Sequence, residues 1–159
     1  MTITHNRLVI DGFDSHISDF QSLLATKDQA TKDAFNNTVI SPCENAEEAA
    51  AGTFCEVVIS GHSDRNDNPT LTPDQKRADE LQVSVNRAGD AKFFVFQQVS
   101  DLLSSVGVTP RPDENSSKNF VLEGIQAGAA NMINPTPTTE DDRKKNRRVE
   151  FRVTTFAPP

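Results

Sequence analysis

The sequence predicts an α+β two-layer sandwich, with elements in the order β-α-β-α-β-β and helices packed on one face of a small mixed sheet. Three observations carry this expectation. Stretches near both ends, "RLVIDGF" (Arg7 to Phe13) and "RRVEFRVTTF" (Arg147 to Phe156), alternate apolar and polar residues with a period of two. "TFCEVVIS", bounded by Gly52 and Gly61, is rich in β-branched and apolar residues, as a buried strand should be. Two long segments repeat apolar residues at helical spacing. A chain of 159 residues can bury roughly 70% of its unfolded surface without a staple, so residues 1–159 are read as a single domain.

In order, "RLVIDGF" is a first strand ending in a glycine turn. A helix can start at Ser15, a good N-cap, with Asp19 at the favourable end of the dipole. Ile17, Phe20, Leu23 and Leu24 share one face, and Ala30, Ala34 and Phe35 continue it. Residues 36–53 shift to Asn, Ser, Pro, Glu and Ala and read as an expanded connection, with room for one helical turn in "ENAEEAAA". The central strand "TFCEVVIS" follows, then turn chemistry at 65–73. Thr72 before Pro73 and Asp74 is an N-cap with proline at the first helical position. The helix runs to about Val106 with Ala91, Val95, Val99 and Leu103 on one face and Leu102 and Val106 beside them; Gly89 is a point of breakage or kinking, and Gly107 ends it. A polar loop from Thr109 to Ser117 leads to a strand at "NFVLEGI", a turn-rich segment "NPTPTTEDDRKKN", and the last strand.

Composition limits the function. The chain is 35% hydrophobic and 25% charged, with ten Phe and neither Trp nor Tyr, so the core is built from Phe and aliphatics. A net charge of −7 opposes partners held mainly by phosphate contacts, and no nucleic acid or membrane insertion is expected. The basic run "RKKNRR" adjoins three acids and no aromatic platform, so "EDDRKKNRR" reads as a solvated loop. "MTITHNRLVIDG" has no apolar region of a secretory leader, so the chain reads as leaderless unless a leader or anchor was trimmed. Cys43 and Cys55 are either one disulfide or two buried free thiols. No cofactor or metal set is indicated: His5, His16 and His62 lack ligand spacing. Ser60, His62, Ser63 and Asp64 lack the G-x-S-x-G elbow of a hydrolase, and no acid/base pair suggests an enzyme.

Three motifs then occur in a distinctive order: "GHSD" (Gly61 to Asp64) closing the central strand, "VSVNRA" (Val83 to Ala88) on the long helix, and "NRRVEF" (Asn146 to Phe151) opening the last strand. Together they resemble the OmpA-like peptidoglycan-binding domain shared by the C-terminal part of OmpA, MotB and Pal. The resemblance covers roughly residues 54–155, with "NRRVEF" its most specific part. It implies a noncatalytic cell-wall anchor, in the periplasm or envelope, that recognises the stem peptide through diaminopimelate, whose ammonium and carboxylate share one carbon. By that resemblance Asp64 accepts from the ammonium and Arg87 grips the carboxylate. Asn146, Arg147 and Arg148 complete the implied site.

The chain departs from the family pattern by longer spacings on both sides of Arg87 and by "NDN" where a glycine is usual. The "NDN" residues tolerate left-handed backbone. Arg77 in "KRADEL" precedes an alanine and competes for the guanidinium role. The ordinary alternatives are an Asx-turn for Asp64, a solvated Arg87 paired with Asp90 or Asn86, and a half-buried His62 supporting the loop. Along the last strand one of Arg147 and Arg148 should face the covered side or the groove and the other solvent. A rival class is a structural subunit of a phage-tail-like, contractile-injection or secretion assembly that keeps the fold with an altered or lost pocket. It would associate with other subunits of an envelope or particle assembly.

Overall fold

The computed structural model describes residues 1–48, 52–108 and 119–159. Four strands, β1 (Thr2–Asp11), β2 (Phe54–His62), β3 (Phe120–Gln126) and β4 (Arg148–Ala157), form one sheet in the order β1-β4-β2-β3. β4 is antiparallel to both neighbours and β2 is parallel to β3, so the sheet is mixed. The helices are α1 (Phe20–Ala25), α2 (Gln29–Phe35), α3 (Ser41–Glu48), α4 (Pro73–Ser105) and α5 (Glu140–Asn146). The α+β class and mixed sheet are those the sequence predicts.

The register places Leu8 opposite Phe151, Ile10 opposite Val149, Val57 opposite Val153 and Cys55 opposite Phe120. These residues turn inward against the helices, as period-two alternation requires. Phe20, Phe35, Phe94 and Phe151 meet beneath them with ring centroids 5.4–6.0 Å apart. Each fully buried ring contributes about 1.5–3 kcal/mol by leaving water. On α4 the expected face is buried: Ala91, Val95, Val99 and Leu103. Leu102 and Val106 are exposed.

Several local expectations are corrected. β1 begins at Thr2 rather than Arg7, because residues 2–6 pair with the end of β4 as an exposed ribbon with no inner face to mark them. The first helix starts at Phe20, with Asp19, not Ser15, accepting from Ser22 N as its cap. It also divides at Asp28, which caps α2. Residues 36–48 are not an open connection: a π-turn, Asn36–Ile40, carries the chain into α3, burying Val39, Ile40, Cys43 and Ala46. Gly89 does not break α4, which is continuous across it. "EDDRKKN" is helix α5, capped by Thr139 in a capping box with Asp142; acids fill its first turn and bases its last, matching the helix dipole. The expected loop Thr109 to Ser117 lies outside the described residues, as do Ala49 to Ala51.

Thr72 does cap α4, in a capping box with Gln75 and with Pro73 at the first turn. Gly107 follows the end of α4 with φ +81°. The cysteines are free thiols on facing elements, α3 and β2.

Candidate functional site

Gly61 sets the geometry at the C-terminal end of β2. A Cβ there would lie 1.9 Å from the Ser84 carbonyl oxygen and 2.9 Å from Ala88 N, so only glycine lets α4 settle this closely on the strand. Ser84 and Ala88 are correspondingly small and buried, and a Cβ added at Gly124 on β3 would lie 3.9 Å from the Ala88 methyl. The close crossing brings the next helix residue, Arg87, down to the strand end.

Arg87 is 1% exposed and does not pair with Asp90 or Asn86. Its Nε donates to Ile17 O at 2.8 Å, Nη1 to His62 O at 2.8 Å and Nη2 to Asp14 O at 3.1 Å. The guanidinium sits 4.8 Å from the centre of the Phe13 ring. Burial first, and then the Arg147 charge, push its pKa down to about 10, so it remains charged at neutral pH. Asp90 instead accepts from Phe20 N, and Asn86 accepts from Gln82. Arg87 therefore ties the β1–α1 loop to β2 and α4. Two of its five N–H groups remain beyond these bonds.

Asp64 is also buried, and its carboxylate is held from the other side. Oδ1 accepts from Asn146 Nδ2 at 2.9 Å and Oδ2 from Arg143 Nη1 at 2.8 Å; Arg147 Nη2 lies 3.9 Å from Oδ2. No Asx-turn through Asp64 is needed. The bonds that shape the following loop come from Asn66 Oδ1, which accepts from Asn68 N, and Asn68 Oδ1, which accepts from Thr70 N. Among the described non-glycine residues only His16 and Asn131 have positive φ, so "NDN" works through side-chain bonds rather than left-handed backbone.

Asp64 and Arg87, from two separate motifs, line one open groove of about 370 Å³ together with Arg143 and Arg147. Asp79 and Glu80 of α4 also line it, held by Asn66, whose Nδ2 donates to Asp79 at 2.7 Å and whose N donates to Glu80 at 2.7 Å. His16, in left-handed backbone, reaches Asp79 across the rim at 2.9 Å. The groove is thus lined by both cationic and anionic side chains, a surface suited to a zwitterion.

The other expected residues divide. Arg147 lines the groove and pairs with Glu140. Asn146 supports it from below, donating to Asp64 and to Asn134 O at 2.8 Å. Arg148 does not line it: its Nε donates to Glu150 at 2.9 Å and its other nitrogens to Asn146 O and Asn131 O. Neither arginine of "NRR" faces solvent, contrary to expectation, since both are under a tenth exposed. Arg77 is an exposed surface residue paired with Asp74 and does not line the groove. His62 is buried on the outer face of the sheet, 3.6 Å from Glu150, with its pKa pushed down by burial and by Arg148.

The residue that sequence reasoning missed is Arg143, which bridges Asp64 and Asp67 and is made more basic by those bonds, the Asp67 bond first. The signal was present: "TEDD" followed by "RKK" is a capping box and a charge gradient, which mark a helix rather than a solvated loop.

No family model and no curated protein matches the chain. Among solved structures it is similar to the cell wall anchor of the T6SS from Pseudomonas aeruginosa, at 23% identity over 97% of this chain and 82% of that one, TM-score 0.41. It is also similar to the periplasmic domain of Helicobacter pylori MotB (residues 78–256), at 20% identity over 95% and 76%, TM-score 0.45. A third is the OmpA-like domain of FopA1 from Francisella tularensis, at 15% identity over 96% and 73%, TM-score 0.37. Likenesses at this identity and TM-score do not decide a function, which rests on the residues of the groove.

Proposed function

We propose that the chain is a noncatalytic cell-wall anchor whose groove takes the diaminopimelate-bearing stem peptide of peptidoglycan. One observation carries the reading: Asp64 and Arg87, the two positions singled out by the resemblance, line the same groove. The ligand's ammonium adds to the spare lone pairs of Asp64, with Asp79 and Glu80 lining the same groove. Its carboxylate takes the N–H groups of Arg87 not spent on backbone, with Arg147 adjoining. Two charge-assisted bonds of about 1.5–3 kcal/mol each, together with backbone contacts, suggest a single-site Kd on the order of 10 μM to 1 mM. That suffices for a tether when several copies sit on one assembly, because later contacts become intramolecular. The setting is the cell envelope.

The test is calorimetric titration with a diaminopimelate-type muropeptide and, in parallel, a lysine-type one that lacks the second carboxylate. Binding of the first, weaker binding of the second, and at least a tenfold loss in Asp64→Ala are expected. Unchanged binding by Asp64→Ala overturns the role of Asp64.

A second reading is favoured by the double engagement of Asp64 with Arg143 and Asn146: a structural subunit of an envelope or particle assembly whose site is closed by its own side chains. It predicts no retention on isolated sacculi and association with partner subunits instead.

A further inference from the structure

We propose that Cys43 and Cys55 are a covalent modification site: an intramolecular disulfide that closes when the chain meets a disulfide oxidant, either oxidised glutathione or a thiol–disulfide oxidoreductase. Cys43 lies on α3 and Cys55 in β2, both fully buried, and their sulfurs are 3.8 Å apart as free thiols. A disulfide needs about 2.05 Å. The remaining gap is within reach of side-chain rotation and a small approach of α3, which already packs on β2. Cys43 and Cys55 both belong to the hydrophobic core, and each is in contact with the other's sulfur.

The same burial sets when the bond forms. The Cys43 thiol is pushed well up, by its contact with Cys55 first and by burial second, so little thiolate exists in the folded state. The bond therefore forms as the chain folds, before α3 seals onto β2. One protein thiolate attacks the oxidant's disulfide and expels one thiol. The second cysteine then displaces the second thiol from the mixed disulfide. One disulfide is reduced to two thiols, two protein thiols are oxidised, and both protons end on the released thiols.

The product straps α3 to the strand whose other end carries Asp64. It closes the segment from residue 43 to residue 55 and restricts the unfolded chain rather than altering the groove. Passage through an oxidising compartment would thus leave a chemical record in this core, whatever the groove binds.

The experiment refolds the full chain from denaturant in a glutathione redox buffer, then counts thiols after denaturation and measures mass, non-reducing mobility and thermal midpoint. Expected are no free thiols, a monomer without glutathione adducts, and a midpoint higher than that of the reduced chain by roughly 5–10 °C. Two persisting thiols, glutathione adducts, covalent dimers, or a lower midpoint for the oxidised chain overturn the proposal. Cys55→Ala should show one reactive thiol and no gain in midpoint under oxidant; a gain there equally overturns it.

Discussion

Two polar regions flank the C-terminal end of β2, and the same motifs furnish both. On the helix side, Asp64, Arg87, Arg143 and Arg147 surround an open groove. On the outer face of the sheet, His62, Arg148 and Glu150 form a buried network joined by Arg7, which donates to Glu150 at 2.8 Å. The register explains the division: His62 stands opposite Arg148 and Ser60 opposite Glu150, so these side chains share the outer face. Asp64 follows the end of β2 and Arg147 precedes the start of β4, where alternation no longer binds them. A motif such as "NRRVEF" is therefore half scaffold and half groove lining. Its specificity as a pattern does not make each of its residues a ligand contact.

The sharpest way to break the comparison is Gly61→Ala, since α4 must lift from β2 and both regions lose their frame. A loss of about 3 kcal/mol or more is expected in denaturant unfolding, because the obstacle is backbone rather than a flexible side chain. Next is Glu150→Gln, which leaves Arg148 with a neutral partner inside the sheet's outer face. It should cost about 1–3 kcal/mol while muropeptide binding stays unchanged, the reverse of the profile expected for Asp64→Ala. Equal losses of binding and stability in both variants would erase the distinction between scaffold and site.

Acidification should act on the outer network. The His62 pKa is lowered from 6.5, by burial first and by Arg148 second. Burial of Glu150 raises its pKa, but bonds from Arg7 and Arg148 outweigh this and bring it below 4.5. Both groups bind fewer protons folded than unfolded, so stability rises with pH through their windows. The His62 contribution is complete above about 6.5 and is lost as pH falls through its depressed value; that of Glu150 is complete above about 4.5 and is lost at lower pH. Thermal midpoints measured against pH should fall in two stages, and Glu150→Gln should flatten the lower one. The smallest effect belongs to Arg77→Ala, which should move neither midpoint nor binding, because Arg77 is exposed and its ion-pair partner, Asp74, is exposed as well.

The strands and the long helix were legible because burial on one face leaves a periodic trace: the alternation of β4 and the inner face of α4 are both direct readings of composition along the chain. The helices at 36–48 and 140–146 were less legible. The first is a short segment of mixed polar composition entered through a π-turn, and the second is almost wholly charged, so neither shows an apolar stripe long enough to read. Asp64 and Arg87 stood out through motif order. Arg143 did not, since a charged residue in a charged run gains meaning only when its partner is known.

What the sequence alone determined is the class of fold and the core of Phe and aliphatic residues; the strand-end carboxylate and the helix-borne guanidinium became the candidate site through the resemblance carried by the three motifs. Tertiary structure decided which cations share that site. The choice of Arg143 and Arg147 over Arg77 and Arg148 depends on where α5 ends against the loop after β2 and on which face each β4 side chain takes. It also decided that Arg87 is a buried anchor as well as a groove residue, because its three carbonyl partners come from Asp14, Ile17 and His62, residues distant in sequence that only the close crossing at Gly61 brings together.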